Sequence, residues 1–366
     1  MTKIMVVCPK DGTFYFRKEL ILRLHEMDYE VVLVGPYGDR IPFFEEKGIR
    51  FVNVNIDRRG TNAVNDLKLI KAYYSVFKRE MPNVVLLYTT KCSVYGGLVA
   101  SRLKIPYIVN NAGLIDTGNN KDLLSRILRI LYKLGFRNAS CMMYQNKGEH
   151  QAIEQLLGKK LHYRDIPGSG VNLEEYTFTE YPQSDSEIYF NTVGRVMESK
   201  GIKELIECAR IIKKEYPYTH FRVFGDYVDD EIPKLVNSAE VDGIIEYKGV
   251  SKNIKPEIVA AHAIIHPSHY EGMANVILEH GAMGRPCIGS DVPGVMDGIE
   301  DGITGYVFHV RDAESMAIAV KRFIELPLSE KKKMGAAARR KMESQFNRDI
   351  VTDTYIQEIE LITKRG

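Results

Sequence analysis

Short apolar runs alternating with longer stretches of helical period constrain this chain more than any other feature. In its first half KIMVVC (3–8), EVVLVG (30–35), RFVNVN (50–55), NVVLLY (83–88), PYIVNN (106–111) and ASCMMY (139–144) read as buried strands. Strands covered on both faces show near-continuous apolar runs rather than strict alternation. Between them FRKELILRLHEM, NDLKLIKAYYSVFKRE and SVYGGLVASRL carry apolar residues at helical spacing. The pattern predicts βαβ units, and so an α/β fold on a mostly parallel sheet.

The alternation starts again after the polar stretch TFTEYPQSDS (177–186). EIYFNTVG (187–194), HFRVFG (220–225), GIIEYKG (243–249), AIIHPS (263–268) and PCIGSD (286–291) read as strands, with helices expected from Gly201 to Glu215 and near 230–239. A length of 366 residues exceeds the ~300 at which single cores stop growing. Two doubly wound domains follow, 1–178 and 187–345, with a linker near 178–186. Open parallel sheets bind ligands beyond the carboxyl ends of their strands. Two of them facing one another enclose a central cleft suited to nucleotides and phosphorylated sugars.

Charge narrows the partners. A net charge of +2, with 27% of residues charged, predicts no nucleic-acid partner. Cys8, Cys92, Cys141, Cys208 and Cys287 form no CxxC pair and sit in or beside apolar runs, as buried reduced thiols do. No secretory pattern precedes the first strand, and no apolar run reaches the roughly 18–20 residues of a membrane span. The expected location is cytoplasmic.

Two segments point to chemistry. In HYEGMANVILEHG (269–281), Gly272 allows close backbone approach, and the N–H groups from Gly272 to Val276 head a helix where an anion is favoured. Glu271 and Glu279, eight residues apart, reach opposite ends of one bound molecule on this reading. The alternative makes Glu271 a partner of the helix dipole and Glu279 a surface residue. GRVMESKGI (194–202) follows a strand and offers Arg195 and Lys200 between Gly194 and Gly201. A planar guanidinium fork and a compact ammonium suit a diphosphate. His266, at a strand end before Pro267, reads either as a hydrogen-bonded core histidine or as one lining the cleft. No Asp-x-Asp or histidine cluster marks a divalent-ion site, so no metal is expected.

A further helix, KDLLSRILRILYKLGFR (121–137), places Arg126, Arg129, Lys133 and Arg137 in one stripe beside Leu123, Leu124, Ile127, Leu131 and Leu134. The expectation is an apolar face packed inside with the basic edge turned to an anionic membrane surface.

GRVMESKG, EGMANVILE and the strand order resemble the retaining GT-B glycosyltransferases of family four. The resemblance covers nearly the whole chain, including IPGSGVNLEEY (166–176) and SDVPGVMDGIEDGITGYVF (290–308). It implies a GT-B fold, with two Rossmann-like domains facing a central cleft. The first would bind the acceptor, the second a nucleotide sugar, and the segment 346–366 would cross back to the first. Arg195 and Lys200 would hold the donor diphosphate and act in catalysis with Glu271. Glu271 and the backbone of Gly272, Met273 and Ala274, with Asn275 and Val276 beyond them, would contact donor sugar and phosphate. Glu279 would take the ribose hydroxyls.

In the first domain, PKDGTFYFR (9–17) brings Gly12 close to donor phosphate or acceptor, with one glycine where many relatives carry two. YTTKCSVYGG (88–97) resembles the loop of the subgroup acting on polyprenyl diphosphate carriers, where Lys91 would meet carrier phosphate. Many members have a histidine after the fifth strand. This chain reads VNNAGLIDTG (109–118), leaving Asn110, Asn111 or Asp116 as substitutes; Lys91, Asn111 and Asp116 are the expected acceptor contacts.

The function implied is retaining transfer of a sugar, hexosyl or N-acetylhexosaminyl, to a lipid-linked saccharide in cell-surface polysaccharide or glycan synthesis. The donor is a nucleoside diphosphate sugar, expected to be a uridine one. No cofactor is required. The enzyme would associate peripherally with the inner face of the cell membrane. The alternatives are a sugar-nucleotide 2-epimerase and a non-catalytic nucleotide-sugar-binding subunit.

Overall fold

The computed structural model describes residues 1–57, 62–110 and 123–365. The chain divides into two compact units, the first comprising Met1–Ser169 and Ile350–Gly366, the second Gly170–Asp349.

The first unit holds β1 (Lys3–Val7), β2 (Glu30–Gly35), β3 (Arg50–Asn53), β4 (Val84–Tyr88), β5 (Tyr107–Asn110), β6 (Cys141–Tyr144) and β7 (Tyr163–Asp165). They form one parallel sheet in the order β3-β2-β1-β4-β5-β6-β7. One face is covered by the helices Ala63–Glu80, Gly97–Leu103 and Leu123–Phe136. Against the other pack the helix Lys18–Glu26 and the last helix, Arg348–Arg365. In that last helix Tyr355 Oη accepts from Asn110 Nδ2 (2.9 Å), and Glu358 pairs with His162 (2.7 Å) and Arg164 (2.5 Å).

The second unit holds β8 (Ile188–Val193), β9 (Thr219–Phe224), β10 (Glu246–Gly249), β11 (Ala263–His266), β12 (Cys287–Ser290) and β13 (Gly305–Phe308), parallel in the order β10-β9-β8-β11-β12-β13. Strand order reverses between β8 and β11. That is the switch point at which open sheets present ligand-binding loops, and the two chemistry-bearing segments follow those two strands.

The structure differs from the sequence-based expectation at the boundary. Residues 170–186 belong to the second unit, not to the first domain and a linker. Val171 N–H donates to Phe346 O (2.8 Å), and the buried Tyr181 donates to His262 O (2.8 Å). The Arg285 guanidinium, fully buried, donates to the carbonyls of Thr179 (3.2 Å) and Glu180 (2.9 Å). A buried guanidinium needs such acceptors, and here they fasten the segment down.

All five cysteines are buried and form no disulfide. Among the described residues no helix is long and apolar enough to cross a membrane.

Candidate functional site

The loop after β8 begins at Gly194, whose N–H donates to Phe224 O (2.9 Å), and runs through a 3-10 turn, Glu198–Lys200, into the helix Ile202–Glu215. Gly201, between turn and helix, has φ +72°. A Cβ there would lie 2.1 Å from Pro267 O. Only glycine permits this approach, and it seats the turn on the loop after β11.

That seating joins Lys200 to Glu271. Lys200 Nζ donates to Glu271 Oε1 (2.5 Å) and to Ser268 Oγ (3.3 Å). His266 Nε2 lies 2.9 Å from the same Oε1. Glu271 Oε2 accepts no hydrogen bond among the described residues. Burial alone would raise this carboxyl's pKa; the hydrogen bond and charge of His266, followed by those of Lys200, overcome it and hold the group at about 2. His266 is buried, and its Nδ1 has no partner among the described residues. The histidine is therefore buried in the core and at the same time holds the Glu271 carboxylate in place.

A second close approach fixes the Glu271–Ala274 backbone. Gly294, in the turn Pro293–Met296, would place a Cβ 2.4 Å from Glu271 O and 2.5 Å from Gly272 O. Ala274 N–H donates to Gly294 O (3.0 Å). The N–H of Ala274 is thus already used. Met273 and Ala274 bury their side chains in the core, so any ligand contact there is backbone only. The helix Asn275–Ala282 starts directly after; Ile277 N–H donates to Ala274 O (3.0 Å), and ahead of it the N–H groups of Asn275 and Val276 have no helix carbonyl to reach. Asn275 Oδ1 is buried without a partner among the described residues, and Val276 packs against the core.

Glu279 stands one turn into that helix. Burial pushes its pKa up to about 7, against the hydrogen bond of Tyr176 and the charge of Arg348; Glu175 adds to the rise. The two glutamates therefore differ in kind. Glu271 is ionised at any physiological pH, while Glu279 titrates near neutrality. Arg195 is exposed and makes no ion pair among the described residues, so the structure joins Lys200, but not Arg195, to Glu271.

Matches to family models now bear on this arrangement. Residues 175–341 match the model described as glycosyl transferases group 1, and residues 15–167 match the glycosyl transferase 4-like domain. The chain belongs to the group 1 glycosyltransferases. It is similar to the N,N'-diacetylbacillosaminyl-diphospho-undecaprenol alpha-1,3-N-acetylgalactosaminyltransferase of Campylobacter jejuni, at 23% identity over 96% of both chains. It is also similar to the UDP-Gal:alpha-D-GlcNAc-diphosphoundecaprenol alpha-1,3-galactosyltransferase of Escherichia coli, at 21% identity over 72% of both. Among solved structures, HepE of Anabaena in complex with UDP and glucose superposes with a TM-score of 0.80 at 15% identity, covering 98% of this chain and 100% of that one. Sucrose-phosphate synthase of Thermosynechococcus elongatus gives 0.81 at 17% identity over all of both chains. The fold is GT-B.

The first unit of this glycosyltransferase carries the other expected residues. Gly12 follows β1 in the short helix Asp11–Tyr15, and among the described residues a Cβ there would meet no atom closer than 3.7 Å. Packing therefore does not require glycine at this position. Lys91 Nζ pairs with Asp66 Oδ1 (2.8 Å), whose Oδ2 accepts from Tyr95 Oη (2.7 Å). Lys91 and Asp66 line a cavity of about 540 Å³ together with Asn53, Asn55, Asp57 and Asn65. Asn111 and Asp116 lie outside the described residues. Asn110 is buried and committed to Tyr355 and to Gln145, which donates to it (3.1 Å), so it does not serve as a reaching side chain.

Arg126, Arg129, Lys133 and Arg137 are all exposed. Leu131 and Leu134 are half-buried, and the side chains of Leu123 and Leu124 lie outside the described residues. Ile127, expected on the packed face, is instead exposed beside the cations. Among the described residues the grouping of three metal-type side chains is Cys141, His162 and Glu358, in the first unit. There Arg164 already neutralises Glu358.

Sequence reasoning gave no site role to Gly294 or Tyr176 and left His266 undecided. The signal for His266 was its place at a strand end, five residues before Glu271.

Proposed function

We propose that this glycosyltransferase moves a hexosyl or N-acetylhexosaminyl group, with retention, from a uridine diphosphate sugar to a saccharide carried on a polyprenyl diphosphate. The product would feed assembly of a cell-surface polysaccharide or glycan, on an anionic membrane surface. The observation that carries the reading is the Glu271 carboxylate, ionised, gripped through one oxygen by Lys200 and His266, with the other oxygen open among the described residues. An acceptor oxygen beside an ammonium matches a sugar hydroxyl beside its own diphosphate.

In the proposed reaction the bond from the anomeric carbon to the β-phosphate oxygen breaks. The acceptor hydroxyl oxygen bonds to that carbon on the same face, and its proton leaves on the departing diphosphate. Lys200, Arg195 and the N–H groups heading the helix Asn275–Ala282 offset the charge that develops there. Glu279 accepts from the ribose hydroxyls. These cations belong to the chain itself, so the reading includes no divalent metal.

On the acceptor side, Asp66 cancels the charge of Lys91. The amide-rich cavity beside them suits a neutral saccharide better than a diphosphate. The polyprenyl carrier is supported by the names of the Campylobacter and Escherichia relatives, both acting on undecaprenol diphosphate substrates.

The test is a panel of uridine diphosphate hexoses and N-acetylhexosamines, incubated in EDTA with a polyprenyl-diphosphate-linked N-acetylhexosamine. The expected result is transfer from one donor, with an α linkage by proton NMR. No transfer from any donor, a β product, or strict dependence on a divalent ion would each count against it.

A further inference from the structure

Three neighbouring helices of the first unit turn their outer sides the same way. Ala63–Glu80 packs on Gly97–Leu103, and Gly97–Leu103 on Leu123–Phe136, with all three covering one face of the sheet. What each leaves uncovered therefore lies on one surface. Ala63–Glu80 buries Leu69, Tyr73, Val76 and Phe77 and exposes Val64 (58%), Leu67 (59%) and Tyr74, with Lys71 and Lys78 interleaved. Leu123–Phe136 buries Tyr132 and Phe136 and exposes Ile127 (44%) and Ile130 (57%) among Arg126, Arg129 and Lys133.

Among the described residues the uncompensated charge on this surface is positive. Gly97–Leu103 and residues 126–137 contain no carboxylate. On Ala63–Glu80, Asp66 is paired with Lys91, and Glu80 is buried under Lys3, Arg50 and Arg79. Exposed aliphatic pairs at i, i+3 spacing, set among cations and without acids, are the pattern of helices that lie in a bilayer interface. Lysine and arginine stems cover apolar surface while their heads reach phosphate.

We propose that the outer faces of Ala63–Glu80 and Leu123–Phe136 together form one docking surface for an anionic lipid bilayer. This deepens the reading that the acceptor is lipid-linked, and rests on it. Residues Val64, Leu67 and Tyr74 enter the interface from one helix, Ile127 and Ile130 from the other, with the cations against anionic headgroups. The inner flank of Ala63–Glu80 lines the cavity beside Lys91 through Asp66, Leu69 and Ala72. Docking would therefore set that cavity close to the bilayer, where a lipid-linked saccharide stands.

The experiment is co-sedimentation of the full chain with phosphatidylcholine vesicles, with and without phosphatidylglycerol. Two double variants are compared, Leu67→Asn/Lys71→Glu and Ile130→Asn/Lys133→Glu, with transfer to a short-chain, water-soluble acceptor measured in parallel. The native chain is expected to bind only the phosphatidylglycerol vesicles, less at high salt, and each variant to bind at least ~10-fold more weakly. Unchanged melting temperature and soluble-acceptor transfer would show the variants folded. Native-like vesicle binding by the folded Leu67→Asn/Lys71→Glu chain would overturn the two-helix surface, as would a native chain that ignores phosphatidylglycerol. A native chain that binds the vesicles yet transfers no sugar would sink the acceptor reading and leave the docking surface standing.

Discussion

Lys200 and Glu271, seventy-one residues apart in sequence, share a 2.5 Å hydrogen bond, and His266 meets the same carboxylate oxygen from the other loop end. Two donors on one oxygen hold the carboxylate's plane and keep its other oxygen available.

Removing the charge of Glu271 leaves Lys200 and His266 without their anionic partner. Glu271→Gln is expected to lower kcat by ~100-fold or more, as losses of preorganised electrostatic groups do, with uridine diphosphate binding retained. His266→Leu removes a counter-donor, so the carboxyl pKa rises from about 2. The acid limb of the activity profile should then move to higher pH, and His266→Gln should restore part of the shift. Because the folded pKa of Glu271 is depressed, the stability it contributes is present above the ordinary carboxyl range and lost as pH falls toward 2. Identical acid limbs in native and His266→Leu enzyme would argue against the positioning role.

Glu279 has the opposite sign. Its folded pKa, about 7, lies above the ordinary value, so its contribution to stability is fully present below about pH 4.5 and is lost as pH rises through 7. Glu279→Gln should therefore stabilise the free enzyme at pH 8 by roughly 2–3 kcal/mol. The difference should vanish below about pH 4.5. The same variant should bind uridine diphosphate more weakly. Denaturant titrations at the two pH values and calorimetry measure both effects.

Gly201 and Gly12 separate structural glycine from site glycine. Gly201→Ala drives a Cβ onto Pro267 O at φ +72°. It should cost ~2 kcal/mol or more and weaken donor binding by displacing Lys200. Gly12→Ala meets no close atom. It should leave the melting temperature unchanged while lowering transfer, if backbone approach to donor or acceptor is what glycine serves there. Full activity in Gly12→Ala would remove Gly12 from the site.

The pair Lys91 and Asp66 is expected to act on the acceptor alone. Lys91→Met should raise acceptor KM several-fold without changing nucleotide affinity. It leaves Asp66 half-buried without its cation, which costs stability. The double change to Met and Asn should recover that stability but not the KM. A rise in donor KM instead would assign Lys91 elsewhere.

The sequence by itself determined what depends on near neighbours. Runs such as VVLLY and AIIH are apolar throughout because both faces of their strands are covered, so β4 and β11 were legible, as were the GT-B halves and the family. That Glu271 and Lys200 stand on loops directly after strands was legible too, because each loop lies within a dozen residues of its strand. β7 and β13 were not, since Tyr163–Asp165 is exposed along its length and Gly305–Phe308 is four residues among glycines and turns. The tertiary structure alone decided the rest. It set which cation meets Glu271, put His266 on the same carboxylate oxygen, tied Lys91 to Asp66, and moved the boundary between units to 169/170. Each of these depends on two loops or elements distant in sequence being pressed together, as Gly201 is against Pro267. A local pattern reports whether a side chain is buried, but not what it is buried against.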